Sequence, residues 1–526
     1  MGNNVSEKVS WQPLVGFGLI SLILAYVVNK QVSLPLPAIV AGGILGGGAL
    51  LFSSLFHPEV PLYVLVAYLP FSRILQGNFG GLMTALNLMN ILCLLAIFGY
   101  MSPLKKEKVG TFPKSGLNFV VFLFALLGAI SLIRGSWEYG AWYMEKFIIP
   151  LKRWLTPIFL YFLTLLIVRD RRTLKTVVLI IMIAVTVVGL LAIKEYIDVG
   201  EVGSIEKERV GGIAEQPNML AAFFCYYMFL FGSFFLCNST KPRYWLLLVP
   251  FLICFRGIQV TFSRGGYLAF FAGGLALSFF RSKIFFILTI FALVIALLNP
   301  ILLPQGIVYR LLSTFKHTEE MDEQGQRELV AEGVVGEEVV LEGSSRGRLN
   351  IWRGALKIIA DFPFWGTGYG TFSTVIPYYA PELRGRKMDA HNSYLIIAAE
   401  MGIPALLLFL WILFLIIWKT RRLYRTAKDP FLKAMALGFL AGLFGVLMAN
   451  MFGSRLHHEE ISGYFWILSA LMIRGLQFEK SPSSVFQEGK EKGVAAVRAV
   501  PPTVTRPRSI SSSLRKLDRI KHGVKE

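Results

Sequence analysis

His391 stands in Asp389-Ala390-His391-Asn392, just ahead of a long apolar run, with a carboxylate and an amide beside it. Near neutral pH an imidazole so placed can accept a proton from a hydroxyl, or polarise that hydroxyl by hydrogen bonding. The alternative is a structural histidine satisfied by its own loop. Arg209, Arg264 and Arg348 come from three separate segments, each next to an apolar stretch. Three such cations can converge on one anion, or each can merely snorkel to lipid phosphates. Arg134 and Arg256 read as snorkelling residues. Glu400 is a carboxylate inside an apolar helix, suited either to function or to pairing with an arginine. Asn218 and Asn392, beside these segments, are supporting candidates.

Other signals carry less. Thr367-Gly368-Tyr369-Gly370 looks like a potassium-filter signature, but a filter needs four copies around an axis. His457-His458-Glu459-Glu460 is a short run of adjacent side chains, which rarely converge on a metal, so no metal site is expected. None of the seven aspartates forms an Asp-x-Asp pair, which argues against metal-diphosphate chemistry of that type. Cys93, Cys225, Cys237 and Cys254 all lie in apolar runs and read as small core residues.

The elements that must position these groups are hydrophobic helices. Of the 526 residues, 55% are hydrophobic and 16% charged, with a net charge of +20. Runs of about 20 apolar residues match the hydrocarbon thickness of a bilayer, so soluble classes are excluded. The expected fold is all-α and polytopic, with about fourteen transmembrane helices, the first at residues 11–28, retained as a span because no cleavage site follows it. Loops 103–115, 169–175, 238–243, 281–283 and 419–433, with the tail from Arg474, hold essentially all the excess of basic charge. Alternation puts them on one side, which the positive-inside bias makes cytoplasmic, along with both termini. The basic balance therefore reports topology, and no nucleic-acid partner is expected.

Loop 304–391 falls on the opposite, outer side and is long enough to be functional. Its stretch 319–342 is strongly acidic and reads as a solvated insert. After it, residues 346–363 form one amphipathic helix with Ser345 as N-cap and Pro363 as stop. Arg346, Asn350, Arg353 and Lys357 share one sector, while Leu349, Ile351, Trp352, Ala355, Leu356 and Ile359 occupy the other, which could lie on the outer interface. Arg348 falls within the apolar sector and wants an anionic partner. In the basic tail, Ile510, Leu514, Leu517 and Ile520 recur at helical spacing. They suggest either a short lipid-bound helix or an unstructured segment.

Arg348-Leu349-x-x-Trp352, the Pro363-to-Phe372 turn with Gly366, Gly368 and Gly370, and His391-Asn392-x-Tyr394 leading to Glu400-x-Gly402 occur in that order. With RVGGIAEQPNMLA (209–221) and TFSRGGYLAF (261–270) upstream, the succession resembles the O-antigen ligase and polymerase family over roughly 209–415. The acidic insert and the basic tail are additions to that pattern. The resemblance implies a membrane-embedded, metal-independent glycan transferase needing no cofactor. Its donor would be a polyprenyl-diphosphate-linked glycan, its acceptor a hydroxyl on lipid A-core or another glycan or lipid, and its place the outer face of a bacterial inner membrane among membrane lipids. Arg209, Arg264 and Arg348 would bind diphosphate, since a diphosphate leaving group needs positive charge in a place drier than bulk water. His391 would assist the acceptor, and direct displacement would invert the sugar carbon.

On this reading residues 1–208 are N-terminal helices, 209–418 the ligase-like core, 419–475 the C-terminal helices and 476–526 a cytoplasmic tail. The nearest alternative is a polymerase, whose acceptor is a second carrier-linked glycan. An alternative of another class is a flippase, which would place charged residues and broken helices near the midplane of an internal repeat. Neither feature is visible in the sequence.

Overall fold

The computed structural model describes residues 36–76, 87–104, 112–200, 209–299, 343–381 and 389–480. The first expected span, the acidic insert and the amphipathic pattern of the tail lie outside the described residues. Among the described residues all regular structure is helical. The helices of eight or more residues are α1 (Leu36–Phe56), α2 (Glu59–Tyr68), α3 (Leu88–Met101), α4 (Gly116–Tyr139), α5 (Ala141–Ile167), α6 (Arg171–Val199), α7 (Pro217–Cys237) and α8 (Leu248–Gln259). They continue with α9 (Arg264–Arg281), α10 (Lys283–Leu298), α11 (Gly343–Asp361), α12 (Phe372–Tyr379), α13 (Ser393–Met401), α14 (Ile403–Thr426), α15 (Pro430–Met451) and α16 (Glu459–Lys480). Seven of them, α4–α7 and α14–α16, are long and apolar enough to cross a membrane. The all-α polytopic class holds.

Two expectations change. The segment 134–153, read as a loop, is almost wholly helical: α4 runs on to Tyr139 and α5 starts at Ala141, with only Gly140, at φ 89°, between them. Polar residues there ended the hydropathy signal without ending the backbone hydrogen bonding. The apolar run 393–418, read as one helix, is broken at Gly402 (φ 88°) into α13 and α14. A Cβ at Gly402 would collide with the Phe364 carbonyl, so this corner exists to let the 364–372 loop close onto the helix.

At the centre, α15 packs against α7, α9 and α14. Gly438, Gly442 and Gly445 form a stripe on it. A Cβ at Gly438 would stand 2.7 Å from Leu230 Cα, and one at Gly445 2.8 Å from the Cys225 carbonyl oxygen. The stripe therefore lets the α15 and α7 backbones approach closely, which substitutes for the hydrophobic drive that helices lack in lipid. Ser233 Oγ donates across the contact to the Ala434 carbonyl at 2.8 Å. Cys93, Cys225 and Cys254 are buried and all four cysteines are free, as their apolar settings suggested.

Alternation along the bundle gives it two ends. One gathers the starts of α7, α9, α13 and α16 and the ends of α4, α6, α8 and α15. The other gathers Arg171, Arg281, Lys428 and their loops.

Candidate active site

The first of these ends is built on the α8–α9 turn. Phe262 takes φ 47°, a left-handed conformation, and Ser263 then caps α9 by accepting from Gly266 N at 3.2 Å. Arg264 is thus the first residue of α9, where a cation opposes the helix dipole and an anion would be favoured. Arg209 reaches the same turn: its Nε donates to the Thr261 carbonyl at 3.0 Å, and Val210 N donates to the Val260 carbonyl at 3.2 Å. The Arg209 Nη2 group also donates to Asn218 Oδ1 at 3.0 Å. Arg209, Asn218 and Arg264, which are 55 residues apart at the extremes, are therefore assembled around one turn. Glu195 near the end of α6 holds the following strip, accepting from Gly211 N and Gly212 N at 3.2 and 3.1 Å.

The glycine-rich loop 364–372 is a scaffold. Gly366, Gly368 and Gly370 have φ of 64°, 110° and 82°, values that L-residues with a Cβ rarely adopt. Its amides dock on the end of α13: Thr367 N donates to the Ala399 carbonyl at 2.8 Å and Gly368 N to the Glu400 carbonyl at 3.0 Å. Glu400 Oε1 accepts from Phe372 N at 3.0 Å. Glu400 lies in α13, before the α14 span, and burial pushes its carboxyl up to about 7, against the opposing pull of the Gly370 and Phe372 amides. Its position makes it a clamp on the loop, and no arginine ion pair of Glu400 is found among the described residues. Arg134 also ties this loop, donating to the Gly366 carbonyl and pairing with Glu138 at 2.9 Å. It is a brace, not the snorkelling residue expected. Arg256, by contrast, lies over the Tyr196 ring and reaches Gln259 at 3.3 Å.

The amphipathic helix α11 is also placed differently from expectation. It begins at Gly343, so Ser345 lies inside it and does not cap it. Ile351, Ala355 and Ile358 are buried against Phe372, Ile376 and Ile396, so much of the apolar face meets protein, while Leu349 and Leu356 remain exposed. The reason is that α12 and α13 supply a complementary apolar surface that the sequence pattern of α11 alone does not reveal. Trp352 Nε1 donates to the Ala390 carbonyl at 2.9 Å, which fixes the backbone next to His391.

His391 itself has φ 48°, a left-handed conformation that few side-chain-bearing residues adopt. Its Nδ1 stands 3.4 Å from Asp389 Oδ2, and Asp389 Oδ1 accepts from Ser454 Oγ at 2.8 Å. Burial lowers the His391 pKa from its ordinary value, Asp389 works to raise it, and Arg348 and Arg455 lower it further. The lowered pKa favours the unprotonated ring, the form able to take a proton. Asn392 caps α13, accepting from Tyr394 N and Leu395 N at 2.9 and 3.1 Å. Next along, Ser393 Oγ donates to Asn450 Oδ1 at 2.7 Å, and Asn450 Nδ2 to the Tyr226 hydroxyl at 2.7 Å.

Arg455, on the α15–α16 loop, was not singled out by sequence reasoning. It is 2% exposed. A Cβ on Gly265, the neighbour of Arg264, would lie 3.4 Å from its Nη2, so the guanidinium sits at the start of α9. Its charge also acts on His391 and on Arg348, and through it the α9 turn and the outer-loop residues form one electrostatic neighbourhood. The available signal was an arginine in a short connection between two apolar spans, the same feature that drew attention to Arg209 and Arg264. The adjacent His457 stacks on Trp154 at 6.4 Å, and burial pushes it down to about 4, while His458 pairs with Glu460 at 3.7 Å.

Residues 249–410 match the family model described as O-antigen ligase. This stretch is therefore similar to the O-antigen ligase family. It contains Arg264, Arg348, His391, Asn392 and Glu400, while Arg209 and Asn218 lie upstream and are joined to it by the Thr261 turn. No curated protein matches the chain. The family is one of membrane glycan-joining enzymes, in agreement with the spans of this chain.

Proposed function

We propose that this protein moves a glycan from a polyprenyl-diphosphate carrier to an acceptor hydroxyl at the outer face of a bacterial inner membrane. The observation that carries the proposal is the assembly at one end of the bundle of Arg209 and Arg264 on one turn, with Arg348 and the His391–Asp389 pair in the same electrostatic neighbourhood. In this reading Arg209, Arg264 and Arg348 bind the diphosphate and stabilise the charge that grows on it. The acceptor hydroxyl oxygen bonds to the anomeric carbon as the bond from that carbon to the phosphate oxygen breaks. The electron pair leaves with the diphosphate, and the hydroxyl proton passes to His391. With Nδ1 facing Asp389, Nε2 is the nitrogen that takes the proton. Direct displacement of this kind inverts the sugar carbon. The reaction so written needs no metal or cofactor.

The orientation is supported by the basic residues Arg171, Arg172, Lys175, Arg281, Lys283 and Lys428 standing at the opposite end, which the positive-inside bias assigns to the cytoplasm. Ligase and polymerase share this site and differ in acceptor, lipid A-core or another surface terminus against a second carrier-linked glycan. Purified full-length protein in lipid, given a polyprenyl-diphosphate glycan and acceptor, tests the assignment. Wild-type transfer rates from both His391→Ala and Arg264→Ala would sink it. A glycan profile after deletion separates the two acceptors: lost attachment of full-length chains means ligase, and single repeat units mean polymerase.

A further inference from the structure

A guanidinium cannot shed its charge inside a protein, so one taken out of water needs an anion or a full set of acceptors. Among the described residues Arg455 has neither. Its Nη1 is buried without a hydrogen-bond partner, and its Nη2 makes one long contact, 3.5 Å to the Phe452 carbonyl. Among the described residues it takes part in no ion pair. The groups nearest in charge, Tyr226 and Cys225, are neutral, and Arg348 adds a second positive charge. The nearby carboxylate Asp389 is engaged by Ser454 and His391.

The space around it is kept by glycine. A Cβ at Gly453 would stand 2.6 Å from Arg455 Nε, and one at Gly265 3.4 Å from Nη2. The loop thus holds the guanidinium between the first residues of α9 and the His391 segment, with a donor left over. Phe452 packs in the same corner, its ring 6.4 Å from Trp352, the residue that fixes the backbone beside His391.

We propose that Arg455 is a further diphosphate-binding residue of this site, its unpartnered Nη1 supplying a donor from the buried side to the phosphate that Arg264 meets from the start of α9. The inference rests on the donor-site reading above. It extends that site to the α15–α16 connection, outside the stretch that matches the family model.

A buried cation awaiting an anion and a cation that braces the fold predict opposite effects on the unliganded protein. Thermal unfolding of full-length protein in neutral detergent would be followed with and without inorganic diphosphate, for wild type, Arg455→Gln, Arg455→Lys and Arg264→Gln. Diphosphate should raise the wild-type Tm. Arg455→Gln should leave the unliganded Tm equal or higher, because an uncompensated buried charge is gone, and should weaken diphosphate binding by at least about tenfold. Arg455→Lys should recover part of that binding. A fall in unliganded Tm in both Arg455 variants with diphosphate binding intact would overturn the proposal and make Arg455 a brace. Repeating the scans with added phosphatidylglycerol separates the sources of phosphate. Loss of lipid stabilisation alone in Arg455→Gln would assign the residue to a headgroup and also overturn the proposal. If Arg264→Gln loses diphosphate binding while Arg455→Gln keeps it, the donor site stands and only the role of Arg455 falls. If wild type itself ignores diphosphate, both fall.

Discussion

The two ends of the bundle handle charge in different ways. At the basic end, Arg171 lies 3.6 Å from Asp429 and 3.3 Å from Glu479, and Lys175 lies 3.2 Å from the same Asp429. Both carboxylates also receive backbone amides: Asp429 caps α15 through Phe431 N at 2.8 Å, and Glu479 accepts from Lys428 N at 2.9 Å. This network of ion pairs ties α6, α15 and α16 together. At the other end Arg73 is similarly paired, with Glu215 and Glu460. A few ångströms from the start of α9, however, Arg455 is buried with no carboxylate partner among the described residues, and Asp389 is directed at a histidine instead of an arginine. Cations matched by carboxylates hold helices together. A buried cation with no carboxylate partner among the described residues, beside His391 in a left-handed conformation, is the arrangement from which the anion-binding proposal is drawn.

That contrast can be broken in order of size. His391→Ala should lower transfer about 10²–10⁴-fold, the usual range for a general base, with little change in Tm. A loss below tenfold would put His391 outside the chemistry. Gly402→Ala should cost about 3 kcal/mol or more, since it adds a left-handed strain to a collision with the Phe364 backbone. The check is folded yield and Tm, and normal values would remove the loop–helix corner from the argument. Arg264→Ala should reduce kcat/KM for the donor about 10–100-fold, as expected for one charge-assisted contact to phosphate. An equal effect from an acceptor-side assay with a saturating donor would contradict a donor role.

A smaller effect concerns pH. His391 must be neutral to accept a proton, so transfer should rise with pH through its pKa, which lies below the ordinary value. Asp389 works to raise that pKa. Asp389→Asn should therefore move the acid limb of kcat/KM to lower pH, and a shift to higher pH would refute the pairing. The smallest change belongs to the basic end. Asp429→Asn should cost about 1–2 kcal/mol of stability, from a partly exposed ion pair and a helix cap, and leave kcat/KM for the donor unchanged. A loss of transfer there would erase the distinction between the ends.

Much of this was legible from residue order. Apolar run length determines that the chain is helical and crosses a membrane, because each unpaired backbone group in lipid costs several kcal/mol. The order of Arg209, Arg264, Arg348 and His391 carried the family resemblance, with Asn218 and Asn392 beside them in the sequence. What hydropathy could not show was where backbone geometry departs from composition. α5 runs through polar residues, and α13 stops at Gly402 within an unbroken apolar run, because the 364–372 loop needs the space. The orientation of α11 was hidden for a related reason, since an amphipathic face fits lipid or protein equally well until its neighbours are known.

Sequence alone determined the chemistry on offer: an imidazole beside a carboxylate, several arginines bordering apolar segments, and glycines where a tight loop must form. Only the tertiary structure decided which of these meet. Arg134 and Arg455 look as ordinary as Arg256 in the chain, yet one braces the glycine loop and another is enclosed between α9 and His391. The physical reason is that desolvation and pairing are properties of place. Whether an arginine is a snorkel, a brace or a ligand for an anion depends on what surrounds its guanidinium, and those surroundings come from segments up to 387 residues away, as with Arg73 and Glu460.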